Sequence, residues 1–319
     1  MTAPAAPSAA PALLPTLHPD RLRPGDTVAL VSPSGPVPAE RVDAAVAVLT
    51  GWGLRPHVYP HVLARHGFFG GTDEQRLDDL NAALSDHRMR AVLCTRGGYG
   101  AQRIVDGIDL DAVLRDPKLV MGFSDITALH LALWQGARLA TVHGPVAAQF
   151  DKGADSPTAL GARHALMTGE PVVVAADPAE ETYPVRTSGR AEGVLLGGNL
   201  SLLASTLGTP HSPDLTGAIL LIEDVGEFPY RIDRMLTQLR RGGALDGVAG
   251  IAVGQFTDCA DGWPVTVAEV VAERLAGLGL PVLGGLPVGH GAQHTAVPLG
   301  TRAVLDVDAG TLTVAAAAA

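Results

Sequence analysis

Aromatic residues are scarce in this chain of 319 residues: Phe, Trp and Tyr together make up 4% of it. Its core must therefore be filled by Ala, Val and Leu, and a hydrophobic content of 47% is enough for a sizeable one. Cysteine is scarcer still. Cys94 and Cys259 stand alone, at a spacing that makes neither a disulfide framework nor a zinc site. A reduced, cytoplasmic protein is the expectation. Positive charge is in deficit, and the formal net charge of -10 argues against a nucleic-acid partner or an anionic membrane surface. No apolar run is long enough to span a bilayer. No G-x-G-x-x-G follows the first apolar run, which disfavours a nicotinamide enzyme, and no His/Cys/Asp cluster has metal-ligand spacing. No metal or organic cofactor is expected.

What is present is alternation. Residues 1–20, MTAPAAPSAAPALLPTLHPD, have neither the basic n-region nor the unbroken apolar stretch of a signal peptide, and read as a disordered leader. From residue 21 the pattern becomes strand, loop, helix. DTVALVSPSG is an apolar strand running into a turn, and PAERVDAAVAVLTGWG is an amphipathic helix closed by Gly51 and Gly53. RPHVYP, MRAVLCTRGGYG, KLVMGF and LATVHGP continue as strands, separated by helices at GTDEQRLDDLNAALSD, AQRIVDGI and DITALHLALWQ. Strands that are apolar throughout, alternating with helices, predict an open parallel sheet covered on both faces, flavodoxin- or Rossmann-like. Ligands of such sheets bind outside the carboxyl ends of the strands, where SPSG, RGGYG, GFSD and HGP all fall. The pattern loosens over 151–190, expected to be a linker after an N-terminal α/β domain spanning 21–150. Residues 191–319 read as a smaller, β-rich domain of short apolar strands with two clear helices, YRIDRMLTQLRR and TVAEVVAERLAGLG.

GFSD, residues 122–125, admits two readings. Ser124 is either a helix N-cap or a nucleophile raised on a tight strand-to-helix turn, and both use the same geometry. The turn differs from the G-x-S-x-G elbow in having Ile126 at the second glycine. A serine nucleophile needs a base, and the base an orienting acceptor. Two histidines follow apolar strands: His143 in TVHGP and His290 in PVGHG. His130, six residues into the helix after Ser124, faces away from it. For the acceptor, AILLIEDVGE ends in Glu223 and Asp224, of which strand alternation lets one face a given pocket. RGGYG and GGNLS are glycine-rich loops suited to an oxyanion-hole amide, with little motif specificity.

In this order, VSPSGPV, RGGYGAQRIVDGID, MGFSDITALHLAL, HGP, LLGGNLSLLASTLGTP, LLIEDVGEFPYRIDRMLTQL and GLPVGHG resemble the LD-carboxypeptidase family of serine peptidases, over about 21–307. EDVGEFPYRIDRML is closer to muramoyltetrapeptide carboxypeptidases than to the microcin-immunity branch. The resemblance implies a Ser–Glu–His triad in chain order, carried by Ser124, Glu223 and His290, and leaves His143 pocket-side or structural. It implies an active site at the domain junction. The oxyanion hole would be the backbone N–H of Asp125 with that of Gly98. Arg96, Tyr99, His143 and Asn199 are candidates for the substrate pocket. The implied substrate is the murein tetrapeptide, which loses its terminal D-Ala during cytoplasmic cell-wall recycling; a homodimer is implied as well. Two other readings stand beside this one: a microcin-immunity peptidase acting on aminoacyl-nucleotide analogues, for which Trp52 and Trp134 offer no evident stacking platform, and a non-catalytic ligand-binding protein.

Overall fold

A computed structural model describes residues 15–259, 262 and 264–319. Most of the expected leader, residues 1–14, lies outside the described residues. Its last part does not behave as a leader. Leu17 bridges Leu139 in parallel, Thr16 Oγ1 donates to the Gly300 carbonyl at 3.0 Å, and Ala319 N donates to Pro19 O at 3.0 Å. Residues 16–19 are thus fastened to the body by backbone pairing that composition alone does not reveal.

The first half alternates: β1 (Thr27–Val31), α1 (Ala39–Gly51), β2 (Arg55–Val58), α2 (Asp73–Ser85), β3 (Met89–Cys94), α3 (Leu110–Arg115), β4 (Leu119–Gly122), α4 (Thr127–Ala137) and β5 (Thr141–His143). The five strands are parallel in the order β5-β4-β3-β1-β2. The order reverses between β1 and β3, and that switch point opens a crevice at the carboxyl edge. Strand β1 (TVALV) and strand β4 (LVMG) are apolar because helices cover both faces. AQRIVDGI, expected as a helix, forms two 3₁₀ turns, Ala101–Arg103 and Val105–Gly107. The six residues between Gly100 and Gly107 are too few to nucleate a stable α-helix.

The 151–190 segment is divided between the halves. Helix α5 (Pro157–Met167) lays Ala159, Ala162 and Leu166 into the core of the first sheet. Strand β6 (Val172–Ala175) joins the second. There follow β7 (Arg190–Asn199), α6 (Leu200–Thr206), β8 (Ile219–Val225), α7 (Pro229–Arg241), β9 (Gly250–Thr257), α8 (Val267–Ala276), β10 (Val282–Leu283), β11 (Val297–Leu299), β12 (Arg302–Asp306) and β13 (Thr311–Val314). The second sheet runs β10-β9-β8-β7-β12-β13-β6, parallel from β7 to β10 and antiparallel beyond. Helix α6 is absent from the sequence expectation, because LSLLAST continues the apolar run of β7. Its start is set by Asn199, whose side chain accepts from Leu202 N at 3.3 Å.

Strand β11 corrects the expected boundary of the 191–319 unit. It leaves the second half and pairs antiparallel with β5, Val297 opposite His143. Without it β5 would be an open edge. Strand β8 is the pivot of the second half. Leu220 and Ile222 point to a core shared with α6, α7 and α8, while Ile219 and Leu221 point to a core built of strands and loops that includes Val288 and Val297. This two-sided burial sets up the residues at its end.

Candidate active site

Strand β4 ends at Gly122, where a Cβ would lie 2.9 Å from Ile126 Cγ2 and 3.1 Å from Cys94 Cβ, so only glycine fits. The chain then turns sharply and Ser124 takes φ = 65°. A non-glycine residue in the left-handed region is strained by about 1–2 kcal/mol. Ser124 does not cap the following helix: it opens a 3₁₀ turn, Ser124–Ile126, whose cap position is Phe123, Ile126 holds the cap position of α4, and no side chain bonds at either cap. The N-cap reading is corrected, and the half-buried hydroxyl stands on a strained strand-to-helix turn of the kind that exposes a nucleophile.

Three loops converge on this turn. Gly35 N donates to Gly97 O at 3.0 Å, joining the SPSG and RGGYG loops. Ser34 Oγ donates to Asp125 Oδ2 at 2.5 Å and Ala101 N to the same oxygen at 2.8 Å. The Asp125 side chain thus ties both loops to the residue after Ser124. Burial pushes its carboxyl above the usual range, against the pull of Ser34, Ala101 and the Arg76 charge. Arg76, brought in by α2 and 1% exposed, donates Nη1 to Pro33 O and to Gly100 O at 2.9 Å, and Nη2 to Asp73. Neither clamp is legible in the sequence: the Asp of GFSD is the sole signal for one, and Arg76 stands in a helix rich in charged residues.

At the end of β8 the two carboxylates part. Asp224 lies on the helix side, where Ser201 N, Ser201 Oγ, Val225 N and Asn199 Nδ2 all donate to it within 2.8–2.9 Å. Glu223 follows Leu221 to the opposite face and is 0% exposed. There its Oε2 meets His290 Nδ1 at 2.6 Å. Burial drives the Glu223 carboxyl up, and the hydrogen bond and charge of His290 oppose that. A carboxylate only accepts, so Nδ1 carries the proton and Nε2 is left as the basic nitrogen. Gly289, at φ = 134°, permits this approach; a Cβ there would lie 2.9 Å from Glu223 Oε2.

His290 and Ser124 border the same cavity of about 300 Å³, with Arg96, Gly97 and Gly98 along its wall. A Cβ on Gly97 would stand 2.8 Å from Ser124 Cβ, so the RGGYG backbone lies directly against the serine. Three expected pocket residues do not line this cavity. Tyr99 is exposed and stacks on Phe69 at 5.8 Å between ring centres, with Phe68 beside them. Asn199 is 3% exposed, spent on capping α6 and holding Asp224. His143 is wholly buried in β5 behind Phe123. Gly198 of GGNLS serves contact between the halves: a Cβ on it would lie 2.6 Å from Thr127 Oγ1, and Asn199 N donates to that oxygen.

His143 belongs to a buried group of imidazoles. Its ring centre lies 5.4 Å from that of His294 and 6.5 Å from that of His130. Burial lowers the pKa of His130 to about 4 and of His294 to about 3, and holds His143 well below its ordinary value. Among the described residues no group of three His, Cys, Asp or Glu side chains is arranged to hold a metal ion. No helix among them is long and apolar enough to cross a membrane.

Two family models match the chain: the LD-carboxypeptidase N-terminal domain over residues 28–144 and the LD-carboxypeptidase C-terminal domain over residues 192–305. A Streptomyces coelicolor protein designated a carboxypeptidase is 48% identical over 93% of this chain and 96% of its own length. The murein tetrapeptide carboxypeptidase of Pseudomonas aeruginosa is 36% identical over 88% and 92%. Among solved structures, the MccF-like protein of Bacillus anthracis superposes with a TM-score of 0.83 at 26% identity, covering 94% of this chain and all of that one.

Proposed function

The chain belongs to the LD-carboxypeptidase family of hydrolases, and from that premise we propose that it removes the terminal D-Ala from murein tetrapeptide, as the peptide is recycled in the cytoplasm, using a triad of Ser124, Glu223 and His290. The observation that carries this reading is the common cavity: the strained serine and the histidine held by a buried glutamate both open into it.

Each residue has a definite task. His290 Nε2 takes the proton of Ser124 Oγ as the oxygen attacks the carbonyl of the L,D-amide. Glu223 fixes the imidazole tautomer and stabilises the imidazolium, and its burial makes that attraction strong. The tetrahedral oxyanion is received by the backbone N–H groups of Asp125 and Gly98. His290 then protonates the leaving amine of D-Ala, and water releases the acyl group by the same steps in reverse. Arg96, on the cavity wall, sits within reach of the free carboxylate that a carboxypeptidase substrate carries one residue beyond the scissile bond.

The experiment is hydrolysis of the tetrapeptide by purified wild type and Ser124→Ala protein, read as released D-Ala by mass. Wild type cleaves and Ser124→Ala loses roughly 10⁴- to 10⁶-fold in kcat, with Glu223→Gln and His290→Ala not adding to that loss. Turnover retained in Ser124→Ala sinks the triad. A wild type that ignores the tetrapeptide but cuts an aminoacyl-nucleotide conjugate moves the assignment to the microcin-immunity activity. Inertness toward both, with tight ligand binding, would favour a non-catalytic binding protein.

A further inference from the structure

Beside the catalytic cavity lies a second one of about 460 Å³, and the two share Arg96, Ala148 and Gln149 in their walls. Gly291 and Ala292, directly after His290, also line it. Three cations border it, Arg41, Arg96 and Lys152, against one carboxylate, Asp151. That is a local excess of positive charge in a chain whose net charge is -10. The cations are unevenly engaged. Arg41 pairs with Asp151 and donates to Ala148 O at 3.0 Å. Arg96 donates one N–H to Pro36 O at 2.8 Å, and Lys152 reaches Ala292 O at 3.4 Å. Those acceptors are neutral carbonyls, so the charges of Arg96 and Lys152 are left for a ligand.

We propose that this cavity is a carboxylate-binding subsite for the peptide whose scissile bond lies at Ser124, with Lys152 and Arg96 as its ligands and Arg41 partly masked by Asp151. The proposal rests on the peptidase reading and deepens it. A peptide residue spans about 3.5 Å, so a carboxylate one or two residues from the scissile carbonyl falls within a cavity that adjoins the serine's own. The tetrapeptide carries carboxylates on both sides of the scissile bond, at the terminal D-Ala and on the acyl portion. Contacts so far from the reacting atoms bind ground state and transition state alike, so they act on KM and leave kcat unchanged.

The test uses full-length Ser124→Ala protein and calorimetric binding of three peptides: the tetrapeptide, its C-terminal amide, and a form with the acyl-side carboxylates amidated. Lys152→Ala, at an exposed position, is expected to weaken tetrapeptide binding about 5-fold, the size of a solvent-accessible ion pair. Asp151→Asn is expected to tighten it by a similar factor, because it releases Arg41 and removes a like charge. Both effects vanish with whichever amidated peptide lacks the recognised carboxylate, which identifies it. In the Ser124 background, Lys152→Ala raises KM with kcat within about twofold of wild type. Unchanged affinities in both charge variants, or effects that persist when every carboxylate is amidated, overturn the subsite alone. Failure of the tetrapeptide to bind Ser124→Ala protein at all overturns the subsite together with the peptidase assignment.

Discussion

Gly97 touches Ser124 more closely than any side chain could. A Cβ at that position would lie 2.8 Å from Ser124 Cβ and 3.2 Å from its Oγ. Gly97→Ala must displace the hydroxyl, and a shift of about 1 Å there costs roughly 100-fold in kcat. The measurement is kcat beside Tm: activity falls while the melting temperature stays close to wild type. Gly51→Ala is the control, since open space surrounds it; equal losses in both variants would remove Gly97 from the site's geometry. At this scale some of the site was legible. A glycine before Ser124 and glycines on both sides of His290 marked where backbone comes close. The choice between Glu223 and Asp224 needed more than alternation, because the pattern shows that they part but not which face holds His290. Arg76 and Asp125 were illegible as clamps, since charged residues are almost never buried unless paired, and most of their partners lie far along the chain.

Among the elements, α2 does the least expected work. It carries Arg76 across to the carboxyl edge of the sheet, where one guanidinium binds the loops after β1 and β3 together with Asp73. Arg76→Leu leaves the Pro33 and Gly100 carbonyls without their donor, while Asp73 keeps Arg103. The expected loss is on the order of 3 kcal/mol, read as the urea midpoint, with a fall in kcat because both loops lose their common anchor. Arg76→Lys restores little, since a compact ammonium cannot serve three acceptors set out for a planar fork. A midpoint unchanged in Arg76→Leu would refute the clamp. The parallel strands β1, β4 and β5 of the first half could be read because each is a short, mostly apolar run stopped by glycine or serine. Helix α6 could not, being seven residues long and continuous with an apolar strand. Strand β11 could not either: Val297–Leu299 is three residues with a proline at its centre, and its partner lies in the other half of the sequence.

For the molecule as a whole, the buried histidines set its behaviour toward acid. His130, His143 and His294 come from α4, β5 and the loop before β11, so they join the two halves. Each has a folded pKa below its ordinary value, with burial as the main cause and the His290 charge adding to it for His143 and His294. The unfolded chain therefore binds protons that the native one refuses. Stability is fully present above the unfolded pKa of about 6.5 and is lost as pH falls toward the folded values. With its pKa at about 4, His130 alone removes roughly 3 kcal/mol by pH 4. Melting followed by circular dichroism from pH 7.5 to pH 4.5 should show Tm falling steeply below pH 6, and His294→Leu should flatten that slope. A Tm independent of pH across this window would contradict the account. Composition foretold the Ala, Val and Leu core, but not this polar knot, because nothing in the spacing of 130, 143 and 294 says that they meet.

Strand β11 also governs when during synthesis the protein can first become whole. The edge of β5 waits from residue 143 until residue 297 for its neighbour. At 5–20 residues per second that interval is roughly 8–30 s. Through it, a growing chain holds Ser124 on a sheet with an unprotected border, the kind of surface on which nascent chains stick to one another. Ribosome pausing or truncation before β11 would therefore yield an aggregation-prone fragment and no partial hydrolase.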